Sequence, residues 1–343
     1  MNLINFSTIF ISLVLVFYIL SIGKSFFIPI VIAVVIWYLI IAMASFFGKI
    51  MLNEKRAIPR WLALSFSLIS IFFIFWALIS LLEANIQSVV SAAPGYQEKF
   101  KALAIRSFNA MHIDQSSTLD TVLESINLTS MVGNLANFAA TLAKNISMIF
   151  IYVLFLLAEY RTFNDKFAKL FKDKGQQKKV SDIVVKIDQD IKTYISIKTI
   201  ASFVTACLSF VVLVFVGVDF PVFWALIIFL LNFIPTVGSI VAVIFPVLLT
   251  LIQFDTLGPF IVVLVLLMSV QVLIGNVLEP KFMGKSLNLS PLVIIISLVL
   301  WGNVWGVTGM FLCVPIMVIL NIVLSKFSKT RSLAIIFSAS GKI

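Results

Sequence analysis

Residues 220–254 read FPVFWALIIFLLNFIPTVGSIVAVIFPVLLTLIQF, and they determine what kind of fold the chain can adopt. This window holds no Asp, Glu, Lys or Arg. As one helix its 35 residues would extend roughly 52 Å, whereas the hydrocarbon core of a bilayer is about 30 Å thick. The window must therefore bend back, break or tilt strongly. Pro235 removes a backbone donor and Gly238 loosens the chain, so the pattern predicts a break near them.

A second uncharged window covers residues 286–325 and is also too long for a single crossing. Its middle reads WGNVWGVTG over residues 301–309. Backbone groups freed by a broken helix are tolerated at membrane depth only when they are buried or line a wet cavity, and paired interruptions often mark substrate sites. We therefore predict substrate-binding roles for Asn232, Pro235, Thr236, Gly238, Ser239, Asn276, Asn303, Gly306 and Thr308. Alternatively, the proline and the glycines only permit kinks and close helix packing.

The composition places the chain in a lipid membrane. Hydrophobic residues make up 61% of it and charged residues 12%, about half the charged share of a soluble protein. The uncharged windows are continuous rather than alternating, which predicts helices and not barrel strands. The shorter windows cover 1–23, 25–48, 61–82, 145–158, 199–218 and 256–278. The predicted fold is all-α and multi-pass, with about seven or eight membrane segments and two broken or re-entrant segments in the C-terminal half.

The charged loops divide the chain into six predicted parts. These are three transmembrane helices in 1–82, a polar helical excursion outside the cytoplasm in 83–138, a transmembrane helix in 139–158, a cytoplasmic amphipathic segment in 159–198, a transport core with interrupted helices in 199–325, and a basic tail in 326–343. The positive-inside rule places both termini in the cytoplasm. Pro94-Gly95 is predicted to break the excursion. Lys281 and Lys285 against Glu279 favour re-entrant hairpins over single kinked spans for the two long windows.

Several function classes lack support in the sequence. The net charge of +10 comes from basic residues beside apolar spans, so nucleic acid is not expected as a partner. Both cysteines lie inside apolar windows, and the only histidine is His112. No cluster has metal-ligand spacing, so we expect no metal site, no cofactor and no enzymatic activity.

Ion coupling would need a carboxylate that reaches the membrane interior. Every predicted span interior lacks one, and the candidates at the span boundaries are Glu279, Asp219 and Asp255. Glu279 leads because it lies between the two broken windows. It could equally form an interfacial salt bridge with Lys281 or Lys285. For the two aspartates we favour helix capping at the water boundary.

Motifs in the C-terminal half resemble one known family. They are the Gly217-Val-Asp-Phe run, LNFIPTVGSI at 231–240, IGNVLEPKFMGKSLNLSPLV at 274–293 and LVLWGNVWGVTGMFLCVP at 298–315. Over residues 190–325 the chain is similar to the autoinducer-2 exporter family of PerM-like permeases, in the subgroup of the quorum-signal exporter. The resemblance implies transport, because members are described as exporters of autoinducer-2 or as sodium(lithium)/proton antiporters. It is also compatible with a homo-oligomer.

The motifs and the broken windows together lead us to expect a transporter of the bacterial inner membrane. It would export a small polar solute, similar to autoinducer-2, by alternating access, with the bilayer, the solute and Na⁺ or H⁺ as its partners. The interrupted segments would form a mobile core that moves against the earlier helices. Two alternatives stay open: a sodium(lithium)/proton antiporter that uses Glu279, and a non-transporting scaffold that recruits partners through 159–198.

Overall fold

The computed structural model describes residues 3–50, 59–110, 130, 133, 145–159, 174–283 and 288–341. Within these ranges the regular elements are helices and no strand occurs, which confirms the all-α prediction. In chain order the helices are α1 (Leu3–Ile22), α2 (Lys24–Ile50), α3 (Arg60–Ala110), α4 (Asn145–Glu159), α5 (Lys174–Val216), α6 (Pro221–Leu231), α7 (Val237–Gln253), α8 (Leu257–Gln271), a π-helix (Val272–Leu278), α9 (Glu279–Met283), α10 (Pro291–Lys326) and α11 (Arg331–Phe337).

Five helical stretches of the described chain are long and apolar enough to cross a membrane. They are Lys24–Gly48, Arg60–Leu103, Val180–Val216, Leu257–Met283 and Pro291–Lys326. Large apolar side chains such as Phe72, Phe203 and Phe215 are exposed on these helices, as contact with lipid allows. The protein is therefore a multi-pass membrane protein. The count of seven or eight membrane segments stays a prediction.

Two helices are longer than the sequence indicated. α3 continues through Pro94 and Gly95 to Ala110, so the predicted break at this pair is wrong. A proline frees the carbonyl four residues earlier, here that of Val90, and because this face of α3 is exposed the helix continues without burying an unpaired acceptor. In the same way, α5 joins the described part of the predicted cytoplasmic segment to the following span in one helix.

The chain forms two compact units. The first contains residues 1–69, 145–199 and 280–343, and the second contains 70–144 and 200–279. In the first unit α1, α2 and α10 pack on one another, and α11 packs on α10. In the second unit α7 packs on both α6 and α8. Fully buried side chains include Ile40 and Leu312 in the first unit, and Leu213 and Leu267 in the second.

The first long window forms a helical hairpin from α6 and α7, which we call the first hairpin. The chain leaves helical geometry between Leu231 and Val237, around Pro235, as predicted. The rings of Trp224 and Phe245 stack with centroids 6.0 Å apart and planes inclined by 13°. Residues this far apart in sequence meet only because the second arm folds back along the first.

The second long window is also broken, at the predicted glycines. Gly306 has φ 62° and ψ −141°, which interrupts α10. The Ser297 hydroxyl donates to the Cys313 carbonyl at 3.3 Å, whereas residues sixteen apart in a continuous helix would be separated by roughly 24 Å. The two halves of α10 therefore fold back on each other, and we call them the second hairpin. That the two hairpins are re-entrant in the membrane stays a prediction.

Candidate functional site

The tip of the first hairpin is organised around Asn232, the residue that ends α6. Its side chain is only 1% exposed. Its amide nitrogen donates to the Ser202 hydroxyl at 3.2 Å, and its carbonyl oxygen accepts from the Ser239 hydroxyl at 3.3 Å. A single buried amide thereby connects α5, α6 and α7. Such a group is costly to bury unless its donor and its acceptor are both paired, as they are here.

The turn after Asn232 is strained. Thr236 has φ 57° and ψ −61°, and the Val237 amide donates to the Pro235 carbonyl at 2.5 Å. This geometry is a γ-turn with positive φ, which is rare for a residue that carries a side chain. Backbone strain of this kind costs about 1–3 kcal/mol and concentrates at functional sites. Thr236 is itself exposed at the tip.

Position 238 has no room for a side chain, so it requires glycine. A Cβ at this position would lie 1.9 Å from the Leu231 carbonyl oxygen and 2.7 Å from the Ile234 Cβ. The first turn of α7 therefore packs directly on the last turn of α6. The structure brings five of the predicted site residues together at this one tip, namely Asn232, Pro235, Thr236, Gly238 and Ser239.

One face of α5 carries small polar side chains, of which Ser202 contacts this tip. Ser202, Thr205 and Ser209 are all buried. Their spacing of three and then four residues places them on one side of the helix. None of these three residues is among the predicted site residues. The signal that could have found them is the helical spacing of small polar residues within an otherwise apolar span.

Three further predicted substrate-binding residues lie at the tip of the second hairpin, which belongs to the other unit. Asn303 is exposed, and its amide nitrogen donates to the Val299 carbonyl of its own helix at 2.9 Å. Gly306 supplies the positive φ that breaks α10, and Thr308 is half-buried. The amide of Asn303 is thus already used within its own helix, unlike the bridging amide of Asn232.

A contact with α1 fixes the tip of the second hairpin. The Trp305 indole nitrogen donates to the Leu20 carbonyl at 2.9 Å, and the ring of Phe17 lies 5.9 Å from that of Trp301. α1 ends at Ile22, so the Leu20 carbonyl lies in its last turn, where carbonyls lack helical partners. The indole supplies that missing donor.

Asn276 and Glu279 lie on the continuous helical stretch from Leu257 to Met283. Asn276 is exposed in the π-helix, and Glu279 is half-buried where the π-helix ends. The Glu279 amide donates to the Ile274 carbonyl, five residues earlier. Short π-helices widen the helix locally and occur frequently at functional sites.

The capping roles expected for Asp219 and Asp255 are wrong. The residues that precede α6 and α8 are Phe220 and Thr256, and neither helix start has a side-chain cap. Asp219 instead accepts a hydrogen bond from the Tyr96 hydroxyl through its carboxylate, at 2.5 Å. Asp255 is exposed in the turn before α8. The chain takes an extended turn into α8 at Thr256, with φ −120°, which leaves the carboxylate of Asp255 one residue too early to cap.

The side chain of Gln253 bridges the two ends of the first hairpin through hydrogen bonds. Gln253, at the end of α7, accepts from the Asp219 backbone amide at 2.9 Å and donates to the Gly217 carbonyl at 2.8 Å. The same amide group thus satisfies both a donor and an acceptor of the connection between α5 and α6. These contacts tie the two ends of the first hairpin together, and Tyr96 ties them to α3.

Comparison with known proteins identifies the family. A family model described as AI-2E family transporter matches residues 8–329. The chain belongs to the AI-2E transporter family. A putative transport protein of Borreliella burgdorferi is 35% identical over 62% of this transporter and 58% of its own length. A putative transport protein of Haemophilus influenzae is 29% identical over 82% of both chains, and the AI-2 transport protein TqsA of Escherichia coli is 27% identical over 83% of both chains.

The chemistry at the first tip of this AI-2E transporter is neutral. Hydroxyl and amide groups of Ser202, Asn232 and Ser239 both donate and accept hydrogen bonds. Among the described residues, no group of three or more His, Cys, Asp or Glu side chains could hold a metal ion. The arrangement is suited to exchanging hydrogen bonds with a polar solute, and the protein is a membrane transporter.

Proposed function

We propose that this transporter exports a small polar solute across the bacterial inner membrane by alternating access, and that the tip of the first hairpin binds the solute. The observation that carries the proposal is the buried Asn232 amide, bonded to a hydroxyl on either side and placed next to a strained turn. A broken helix at membrane depth with such groups is the arrangement that transporters use for binding at the midplane.

The hydrogen-bonding groups at the tip favour a polyhydroxylated cargo. A hydroxyl of the solute can replace the hydroxyl of Ser202 or of Ser239, since it offers both a donor and an acceptor. The exchange leaves the Asn232 amide paired throughout, which avoids the cost of about 1–3 kcal/mol for an unpaired buried group. The name of the Escherichia coli relative, an AI-2 transport protein, makes autoinducer-2 the first cargo to test.

The test uses the purified full chain in proteoliposomes loaded with autoinducer-2, with and without sodium and pH gradients. We expect protein-dependent release of the solute. Asn232→Ala should slow the release by about tenfold or more, because the loss of a hydrogen bond worth about 1.4 kcal/mol changes a rate or affinity tenfold.

The matched control is Asn85→Ala. Asn85 is half-buried on α3, and its amide donates to the Leu81 carbonyl of its own helix at 2.7 Å. This variant should release autoinducer-2 at the parent rate. If Asn232→Ala also folds and transports like the parent protein, the tip of the first hairpin is not the binding site.

The π-helix supports a second candidate, sodium(lithium)/proton antiport through Glu279. A half-buried carboxylate at the end of a widened helical turn is a reasonable place for an ion or proton to bind. Under this hypothesis Glu279→Gln abolishes the pH change that a sodium gradient drives in vesicles, while Glu98→Gln, an exposed site on α3, leaves it intact. If Glu279→Gln exchanges sodium for protons at the parent rate, this carboxylate has no role in antiport.

The third alternative, a scaffold that acts through 159–198, gains no support. The relatives are named as transport proteins. The described part of this segment, from Lys174 onward, continues without interruption into the span of α5.

A further inference from the structure

α11 lies across the base of the second hairpin. It begins at Arg331, shortly after α10 ends at Lys326, and the carbonyl of its last residue, Phe337, accepts from the Ser290 amide at 2.8 Å. Ser290 directly precedes Pro291, where α10 begins. The seven residues of α11 extend roughly 10 Å, which is about the distance between two packed helices. α11 therefore runs from the end of the second arm to the start of the first.

The base of this hairpin lies at the boundary of the membrane. The window of residues 286–325 carries no charge, and Lys326 is the first charged residue after it. A charged side chain that follows so long an apolar stretch marks the point where the chain reaches the polar headgroups. A short helix that crosses the hairpin at this level lies along the membrane surface.

Three cations stand close together in sequence where α10 turns into α11. They are Lys326, Lys329 and Arg331, all of them exposed, and we call them the basic corner. The turn that carries them is fixed by Thr330, whose hydroxyl donates to the Leu324 carbonyl in the last turn of α10 at 2.9 Å. The basic corner is thus presented to the surroundings on a turn with a defined conformation.

The protein supplies no acidic partner for the basic corner. The sequence contains no Asp or Glu from residue 280 to residue 343. The described helices that pack most on α10 are α1, α2 and α11, and they contain no acidic residue either. Among the described residues, no ion pair involves Lys326, Lys329 or Arg331. All three cations are therefore available to an anion from outside the protein.

The outer face of α11 is apolar. Ala334 is fully buried on the inner side of the helix, whereas Leu333, Ile335 and Ile336 are exposed, the last of them to 67%. Phe327, within the basic corner, is exposed as well. Seven residues are too few to cross a bilayer, so this face contacts the outer part of the acyl chains. Exposed cations beside exposed aliphatic side chains match a phospholipid, which joins a phosphate to hydrocarbon.

We propose that the basic corner and the outer face of α11 bind anionic phospholipid. The headgroup phosphate pairs with Lys326, Lys329 and Arg331, and the acyl chains cover Ile335 and Ile336. Each Lys or Arg near an anionic membrane surface raises affinity by about fivefold, so three of them favour anionic over zwitterionic lipid by up to about a hundredfold.

Lipid bound at this surface also acts on the second hairpin. α11 is joined to the end of α10 through the turn at Thr330 and to its start through the bond between Phe337 and Ser290. Lipid that holds α11 in place therefore restrains both ends of the hairpin. This inference does not depend on the transported solute or on the site at the first tip.

The experiment uses the full chain in phosphatidylcholine nanodiscs that contain a small fraction of a photoreactive lipid. The lipid is either phosphatidylglycerol or phosphatidylcholine, each with the same diazirine in its acyl chain. After illumination, mass spectrometry of peptides measures the lipid attached to residues 326–337. We expect phosphatidylglycerol to label this segment at least tenfold more than phosphatidylcholine, and 1 M NaCl to reduce the preference, because salt screens exposed charges.

Two competitors separate a lipid site from a phosphate site. Unlabelled phosphatidylglycerol should displace the photoreactive form. Soluble glycerol 3-phosphate, which offers a phosphate without acyl chains, should not displace it at the same excess, because it cannot cover the apolar face of α11.

The test variant replaces all three residues of the basic corner with glutamine. It should label with the two lipids to within about twofold, and Arg331→Gln alone should lower the preference about fivefold. The matched control has the same net charge and replaces three exposed lysines elsewhere with glutamine, namely Lys24, Lys99 and Lys178. This control should keep the parent preference.

Four results would overturn the proposal. In the parent protein, these are equal labelling of residues 326–337 by the two lipids, and displacement by glycerol 3-phosphate as effective as that by phosphatidylglycerol. In the variants, they are retention of the parent preference when the basic corner is replaced, and an equal loss of preference in the control. Because every substituted side chain is exposed, we expect both variants to unfold in detergent at the parent midpoint.

Discussion

Gly238 and Gly309 meet the same spatial requirement in different hairpins. A Cβ on Gly238 would lie 1.9 Å from the Leu231 carbonyl oxygen, and a Cβ on Gly309 would lie 1.9 Å from that of Trp301. Neither glycine has a positive φ. Both are needed because the second arm of each hairpin begins against the last carbonyls of the first arm. For Gly238 and Gly309, therefore, space rather than backbone flexibility requires the glycine, whereas Gly306 is needed for its positive φ.

Gly238→Ala should destabilise the protein by about 1–3 kcal/mol or more, because the backbone carbonyl of Leu231 cannot move aside as a flexible side chain would. Thermal unfolding of the purified chain in detergent measures the effect. Gly258→Ala on α8 is the matched control, since a Cβ there meets nothing within 4 Å and alanine is the better helix former. Equal unfolding midpoints for the two variants would contradict the close approach at the tip.

At the scale of elements, the C-terminal residues hold the start of the second hairpin. The Ser290 amide donates to the Phe337 carbonyl at 2.8 Å, and the Ala339 amide donates to the Asn288 carbonyl at 3.2 Å. The Ser340 hydroxyl adds a bond to the Asn288 side chain at 3.0 Å. The described part of the basic tail is thus packed against the hairpin rather than merely following it.

Removal of residues 338–343 should loosen the second hairpin. Cys313 is fully buried between its arms, where its carbonyl accepts from Ser297, and so it reports on opening of the hairpin. We expect N-ethylmaleimide to label Cys313 several times faster in the truncated protein. The rate at Cys207, which is exposed on α5, should stay the same. An unchanged rate at Cys313 would mean that the tail does not restrain the hairpin.

The sequence predicted the elements better than their partners. Charge-free length together with Pro235 and Gly306 was enough to predict both breaks, because these features act within a few residues. The bond between Asn232 and Ser202 joins positions 30 apart, and that between Tyr96 and Asp219 joins positions 123 apart. The hydrophobic periodicity of the sequence does not reveal which residues so far apart will contact each other. The length of α3 was also missed because it depends on tertiary structure. A helix that tertiary packing favours can continue through an exposed proline such as Pro94, which propensity alone does not reveal.

In the whole molecule, alternating access requires that the tip of the first hairpin is reached from both sides of the membrane in turn. Ser239 is the residue to probe, because it is half-buried at this tip and bonded to Asn232. Ser67, which is fully buried on α3, is a suitable comparison.

The most direct test is therefore accessibility in proteoliposomes. Ser239→Cys, in a background with Cys207→Ser and Cys313→Ser, is exposed to a membrane-impermeant thiol reagent added first on one side and then on the other. We predict reaction from either side, slowed by transported solute, while Ser67→Cys reacts from neither. Reaction of Ser239→Cys from one side only, at a rate that the solute does not change, would contradict alternating access at this tip.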